Sequence, residues 1–252
     1  MLGWEQGGIM IQIGCLARFF NKYADEVEFA TRNGFDFMQI WYDRNGIALR
    51  KDSEPKESVI KEFDFPTIVH AVLDINEFEE HVSRVIDILV YLNHKNVIIH
   101  PICESEEITS DTIHKLSRKV SCALEKISDK GITLYLENNS KIDPIFNTPE
   151  EIGIMFSSNP NLEFILDVAH IESYEHLKRI VDVKMPKILH IADKHFDIIH
   201  EHLPVGQGDI DYEYIFNNEL REFTGKIILE VAQSDEAVIS SRDKIRNVLS
   251  KS

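Results

Sequence analysis

Cysteine is scarce and badly spaced: the chain has three, Cys15, Cys103 and Cys122, an odd number without CxxC spacing. That excludes a disulfide framework and a thiolate zinc knuckle, and leaves reduced thiols in or near a core. Long apolar runs are missing too. No stretch reaches the ~18 residues of a membrane span, and no charged start followed by an apolar stretch and a cleavage site marks a secretory leader, so the expected location is cytoplasmic. Positive charge is in short supply: 27 Lys and Arg stand against 43 Asp and Glu, for a formal net charge of −16. A surface of that sign disfavours tracking nucleic acid by broad attraction, although bound divalent ions would offset part of it locally. A GxGxxG after the first strand candidate is absent, as are low-complexity linkers and composition breaks. Dinucleotide binding is thereby disfavoured, and no domain boundary is marked.

What is present is alternation. Residues 1–9 look unlike a folded element and are expected to be an N-terminal extension, of the kind an upstream start codon adds, leaving 10–252 as the folded unit. Strand-like runs then recur as MIQIGC, FDFMQIWY, PTIVHAV, VIIHP, ITLYLENN, LEFILDVAH, KILHIAD and KIILEVA. Between them lie helical patterns over 23–33, 76–92, 109–129, 148–156, 174–182, near 212–220, and over 236–249. Ser110 and Asp111 are cap candidates for the third of these. Thr148, Pro149 and Glu151 spell a capping box with proline at the first helical position. The polar stretch 43–62 carries the weakest signal and is assigned no element. Eight strands alternating with helices over ~250 residues predict a single-domain α/β fold, a closed (β/α)8 TIM barrel, with an open doubly wound sheet as the alternative.

The barrel is preferred because the unusual residues recur at one relative place. His70, His100, Glu137, Asp167, His190 and Glu230 each lie near the C-terminal end of a strand candidate. In a barrel those ends converge on one mouth, whereas an open sheet spreads them along an edge. The window PKILHIADKHFDIIHEHLPVGQGD adds Asp193, His195, His200 and His202, and its Gly206 and Gly208 permit a tight backbone path. Buried carboxylates are costly without compensating charge, and three in one mouth repel each other unless a cation sits among them. Oxygen and imidazole donors without thiolate point to Zn, Mn, Co or a similar divalent metal. A lone histidine reads more simply as structural. His81, His94, His114 and His176 fall on helices or turns and are expected to be solvated, and Glu104, Glu106 and Glu107 to form a wet loop. Trp41 and Tyr42 suit either the mouth or the packing around it.

The ordered set VHAVLDIN, IIHP, YLENN, LDVAH, LHIADKH, HLPVGQGDID and ILE resembles the xylose isomerase-like TIM barrel superfamily, which joins sugar isomerases and epimerases to endonuclease IV. The resemblance runs from about Met10 to the C-terminus. Its isomerase and epimerase branch implies one divalent ion held by Glu137, Asp167, His190 and Glu230, with Glu137 and Glu230 also acting as acid and base. His170 and His202 would orient substrate oxygens, and the Gly206–Gly208 turn would bring N–H groups near a hydroxyl or phosphate. The implied partner is a small sugar or sugar phosphate, and the implied activity is proton transfer at a carbon next to a carbonyl. Phe196 departs from that branch, standing in the region where several epimerases place a substrate-binding Arg.

The endonuclease IV branch implies three zinc ions, and His70, His100, Glu137, Asp167, His170, His190, His202 and Glu230 all match its ligand pattern. His200 departs, standing where that branch has a carboxylate, but its imidazole can still bind zinc, so His200 joins His70, His100, His170 and His202 as a candidate additional ligand. The segments after the strands hold few Arg and no Arg/aromatic cluster, although phosphate positioning on DNA rests heavily on such side chains. The expected function is therefore a metal-dependent sugar or sugar-phosphate isomerase or epimerase. An endonuclease IV-type zinc phosphodiesterase acting on abasic DNA is the alternative, and a non-catalytic metal-binding barrel ranks third. The number of ions and the oligomeric state stay open.

Overall fold

The computed structural model describes residues 4–6, 9–50 and 55–251. Its strands are β1 (Trp4–Gln6), β2 (Ile9–Leu16), β3 (Phe37–Asp43), β4 (Gly46–Ile47), β5 (Thr67–Asp74), β6 (Asn96–Ile102), β7 (Thr133–Glu137), β8 (Glu163–Asp167), β9 (Ile188–Ile191) and β10 (Lys226–Leu229). Helices α1 (Tyr23–Arg32), α2 (Lys56–Phe63), α3 (Phe78–Leu92), α4 (Ser110–Ile127), α5 (Pro149–Ser158), α6 (Tyr174–Val183), α7 (Tyr212–Asn217) and α8 (Asp235–Leu249) fill the connections. Strands β2, β3, β5, β6, β7, β8, β9 and β10 pair in parallel, each with the next, and β10 pairs back onto β2. The result is the closed single-domain (β/α)8 barrel. Two short strands lie outside the ring: β4 makes a hairpin with β3, and β1 runs antiparallel to β2, with Trp4 opposite Ile11. Of the expected extension, residues 1–3 and 7–8 lie outside the described residues.

Each barrel strand has two faces. Outward residues such as Ile13, Ile40, Val69, Ile99, Leu136, Leu166, Leu189 and Leu229 pack under the helices in the main core. Inward residues form a separate plug with one member from every barrel strand: Leu16, Phe37, Ile68, Ile98, Tyr135, Ile165, Ile188 and Ile228. Burying each such side chain stabilises the fold by ~1.5–3 kcal/mol. Because side chains alternate with period two, the next inward position lies two residues further along each strand. From β3 to β10 those positions are Gln39, His70, His100, Glu137, Asp167, His190 and Glu230. The polar layer therefore sits directly on the apolar plug.

Local chemistry explains most boundaries and several departures from expectation. Thr148 and Glu151 form the capping box of α5, with Pro149 at its first position. At α4 the cap is Thr109 rather than Ser110 or Asp111: its hydroxyl accepts from Asp111 N–H while its own N–H donates to Thr112 Oγ1. The stretch assigned no element contains α2, which buries only Ile60 and so leaves little periodic signal. His81 is buried instead of solvated, because it falls on the core face of α3 beside Phe78, Val82 and Val85, where Nδ1 lies 2.9 Å from Tyr42 OH. His94 pairs with Thr67, and His176 donates from Nε2 to Asn147 O at 2.9 Å, so neither is simply solvated. His114 and the Glu104, Glu106, Glu107 loop are exposed as expected. The cysteines are unpaired. First and last βα units are tied by Arg18, which reaches Glu26 Oε1 at 2.8 Å and Asp235 Oδ1 at 2.6 Å. Among the described residues, no helix is long and apolar enough to cross a membrane.

Candidate metal centre

Four donors from four consecutive strands meet in the polar layer. One ligand atom each from Glu137, Asp167, His190 and Glu230 lie within 4.8 Å of one another, and all four residues are buried. Donors ~2.0–2.2 Å from a metal stand at most ~4.3 Å apart across it, so this spacing is close to a coordination shell. His190 Nδ1 is 3.0 Å from Glu137 Oε1, 3.4 Å from Glu230 Oε1 and 3.9 Å from Asp167 Oδ2. Two further groups border this one. His70 and His100 converge on the second oxygen of Glu137, at 2.7 and 3.3 Å, and His170, His200 and His202 form a three-imidazole group at the rim. Every histidine and carboxylate expected to be a ligand is thus drawn into one contiguous cluster.

His170 arrives through a change of local structure. Strand β8 stops at Asp167, whose Oδ1 accepts from Ala169 N–H and starts a single 3-10 turn, Val168–His170, that swings the imidazole over the mouth. His170 Nδ1–H donates to Asn138 O at 2.8 Å, which leaves the Nε2 lone pair facing inward. Asn138 also donates to Asp167 O and accepts from Asp167 N–H, clamping β7 to β8. Three buried atoms then make no hydrogen bond: Asp167 Oδ2, His170 Nε2 and His202 Nε2. Asp167 Oδ2 lies 3.4 Å from His170 Nε2 and 3.6 Å from His202 Nε2. Orphaned acceptors facing each other in a buried site are destabilising unless a cation is shared between them. The donor set therefore fits a divalent ion.

Electrostatics agree with that fit. Burial opposes ionisation of Glu137, but His190, His70 and His100 overcome it and hold the carboxyl well below its usual range. Glu230 is likewise lowered, with burial outweighed by His190 and His202. Burial also opposes charge on the histidines. Against it, Glu230 and Glu137 push His190 up to about 9, while Glu137 and Asp143 push His100 up to about 10. His70 stays lowered, its burial prevailing over Glu137. In the metal-free chain, imidazolium supplies the positive charge that the carboxylates require.

The loop after β9 is organised by Asp193, fully buried. Its Oδ1 accepts from Lys194 and Ile210 N–H at 2.9 and 3.1 Å, and its Oδ2 from Gly206 and Gln207 N–H at 2.7 and 3.1 Å. The Gly206 N–H expected to approach substrate is thus donated to Asp193. Gly206 has φ +79°, and a Cβ on Gly208 would meet Lys194 O at 2.3 Å, so turn geometry and close packing account for both glycines. His195 turns outward to Glu201, and Phe196 packs edge-on against Tyr174. Cations around the mouth are engaged: Arg44 with Glu104, Lys141 with Glu172, and the buried Lys194 with Ile171 O.

Two members of the cluster escaped the motif reading. Asp143 lies 3.7 Å from His100 Nε2. Gln39 is fully buried among His70, His190 and Glu230. Its signal was register, two residues beyond the inward Phe37. Trp41, half-buried, lies against His70 with ring centroids 4.5 Å apart.

A search of curated proteins finds no match to the sequence. Among solved structures, a D-tagatose 3-epimerase-like protein is similar, with 20% identity, TM-score 0.75 and coverage of 96% of this chain and 98% of that one. D-allulose 3-epimerase from Methylomonas sp. in complex with D-allulose gives 15% identity, TM-score 0.73 and coverage of 95% and 97%. The IolI protein with a zinc atom gives 18% identity, TM-score 0.71 and coverage of 96% and 99%. These likenesses establish the fold. The xylose isomerase-like TIM barrel model matches residues 27–248, a span holding the polar layer from Gln39 to Glu230, and the chain belongs to that family.

Proposed function

We propose that the chain is a divalent-metal-dependent isomerase or epimerase of a sugar or sugar phosphate, acting by proton transfer at a carbon next to a carbonyl. The observation that carries this reading is the buried Glu137, Asp167, His190, Glu230 set, in which two glutamates, one ending β7 and one just past β10, flank the same imidazole. The sugar epimerases among the solved structures of this shape, one of them with D-allulose, support the substrate class, and the zinc of IolI supports the metal. Zn, Mn or Co suits these donors. A bound ion would act as a Lewis acid, polarising the carbonyl and stabilising negative charge on its oxygen.

Glu137 and Glu230 are ionised in this environment and so hold the base form. One glutamate takes the proton from the carbon acid, and the electron pair moves to the carbonyl oxygen. The other glutamate, after taking up a proton from solvent, donates it to the opposite face, giving an epimer, or to the neighbouring carbon, giving an isomer, and the proton held by the first glutamate returns to solvent. His170 and His202 stand at the rim, where they can orient substrate oxygens, and Gly206 and Gly208 shape the turn beneath them. The apolar plug closes the barrel directly beneath the site. Unpaired cysteines support a reducing, cytoplasmic setting.

The test is incubation of metal-loaded protein in D2O with a panel of ketoses and their phosphates. The expected result is metal-dependent deuterium entry at a carbon next to the carbonyl. Absence of exchange across the panel would count against the reading.

One observation favours a second reading. The flanking groups His70, His100, Glu137 and His170, His200, His202 could accommodate further ions, which suits an endonuclease IV-type phosphodiesterase. Metal analysis of protein purified without chelator or added metal separates the two, because about one ion per chain is expected for the isomerase and two or three zincs for the hydrolase. Nicking of a duplex containing an abasic site at ~0.15 M salt, where few Lys and Arg phosphate contacts are on offer, would favour the hydrolase.

A further inference from the structure

We propose that Gln39 is a positioning residue that sets which nitrogen carries the proton on both His190 and His70, so that His190 can ligate an ion while His70 is held as a hydrogen-bond donor to Glu137. The proposal rests on the metal-dependent reading of the Glu137, Asp167, His190, Glu230 site. Gln39 is fully buried on β3, opposite β8, and its amide reaches three partners. The amide nitrogen lies 3.0 Å from Glu230 Oε1 and 3.1 Å from His70 Nδ1, and the amide oxygen lies 2.8 Å from His190 Nε2.

Which end of the amide faces which partner follows from Glu230. An ionised carboxylate only accepts hydrogen bonds, so the amide oxygen cannot occupy the position 3.0 Å from it without leaving two buried acceptors in repulsive contact. The N–H2 group therefore faces Glu230, and the oxygen faces His190. An amide oxygen only accepts, so His190 must carry a proton on Nε2. Its Nδ1 is left toward Glu137, Asp167 and Glu230, the carboxylates of the proposed site. Any second proton on that ring sits on Nδ1 and is the one an arriving ion displaces.

The other N–H of the amide fixes His70. It points at Nδ1, which must accept, so the single proton of the neutral ring sits on Nε2 and is donated to Glu137 Oε2 at 2.7 Å. A ring with one nitrogen bound by an amide and the other protonated presents no lone pair to a metal. His70 then supports Glu137 instead of ligating, and the His70, His100, Glu137 group is one donor short of an ion site. All three hydrogen-bonding sites that the Gln39 amide uses in this way are satisfied by a single rotamer.

Gln39→Glu should reverse this. A carboxylate at that position accepts from both rings, keeping His190 Nε2–H and adding a proton at His70 Nδ1, so that the metal-free His70 ring lies between two carboxylates and carries both protons. A second cation at Glu137 and His100 can then displace the Nε2 proton of His70, leaving Nδ1–H, and also offset the new charge beside Glu230. The experiment uses 15N-histidine-labelled full-length protein, with long-range 1H–15N spectra recorded metal-free and with zinc, and zinc counted by mass spectrometry. In wild-type protein the expected result is His70 as the Nε2–H tautomer in both states. Gln39→Glu should show both His70 nitrogens protonated when metal-free and Nδ1–H alone with zinc, and should bind one more zinc per chain than wild type. A wild-type His70 with its proton on Nδ1 overturns the proposal, as does an unchanged His70 tautomer in Gln39→Glu. If that variant does not fold, Gln39→Met is the second test: Glu137 still holds the His70 proton on Nε2, but Nδ1 loses its donor, so the Nδ1 15N shift should move to that of an unbonded acceptor, and an unchanged shift overturns the proposal. Failure of the wild-type protein to take up zinc would sink the metal reading alone, because the metal-free spectra still report on Gln39.

Discussion

Asp193→Ala isolates the part of the site that the loop after β9 contributes. Asp193 accepts four backbone N–H groups at 2.7–3.1 Å, and among the described residues no side-chain cation is bonded to it. A hydrogen bond to a carboxylate contributes ~1.5–3 kcal/mol net when both groups are buried. Lys194 and Ile210 are buried, whereas Gly206 and Gln207 are exposed and can turn to water. Counting the buried pair alone, Asp193→Ala should destabilise the metal-free protein by ~3–6 kcal/mol, a large share of the ~5–15 kcal/mol typical of a domain. Asp193→Asn keeps an oxygen for Lys194 and Ile210 but removes its charge, which about halves each of those bonds, so its loss should be about half as large. Urea unfolding gives the free energies, and amide hydrogen exchange gives the location: Gly206, Gln207 and Ile210 should exchange faster in Ala than in wild type. A change under ~1 kcal/mol for Asp193→Ala, with unchanged exchange at those three amides, would refute the reasoning.

Two further outcomes follow from the same layer. Glu137→Gln or Asp167→Asn should reduce bound metal without unfolding the chain, because either change relieves repulsion in a crowded mouth while removing a charged donor. The loss of affinity should exceed the ~10–100-fold typical of losing a supporting hydrogen bond, and full occupancy in both variants would contradict the site. At the end of β5, burial of Asp74 is outweighed by Ser105 Oγ–H and by the N–H groups of Asn76, Glu104 and Ser105, which lower its pKa on folding. Its contribution is present above the unfolded value and is lost as pH falls through the folded one. Asp74→Asn should therefore cost ~1–3 kcal/mol at neutral pH, with the gap from wild type closing below pH ~4. A gap independent of pH would contradict this.

Sequence made the barrel and most of the polar layer legible because each barrel strand is an apolar run interrupted at the same register. Charge marks that interruption at His70, His100, Glu137, Asp167, His190 and Glu230. It does not mark Gln39, an uncharged residue inside FDFMQIWY, and only the period-two step from Phe37 places it inward. Asp193 was visible as a polar residue beyond a strand, but its donors lie up to 17 residues on, at Gly206, Gln207 and Ile210. For the same reason the glycines suggested a ligand turn while their immediate partners are Asp193 and Lys194. His81 shows a different limit: residue type alone favoured solvent, whereas its place three residues after Phe78 put it on the buried face of α3.

Proton transfer by the paired glutamates is tested most directly by the rate of solvent deuterium entry into a turned-over ketose, measured for wild type and Glu230→Gln at equal, verified metal occupancy. Glu230 is the choice because β10 ends immediately before it and its Oε1 lies 3.4 Å from His190 Nδ1. The expected result is exchange slowed by at least ~100-fold in Glu230→Gln, with substrate binding changed far less. Exchange at the wild-type rate with the metal still bound would contradict the assignment of Glu230 as acid and base.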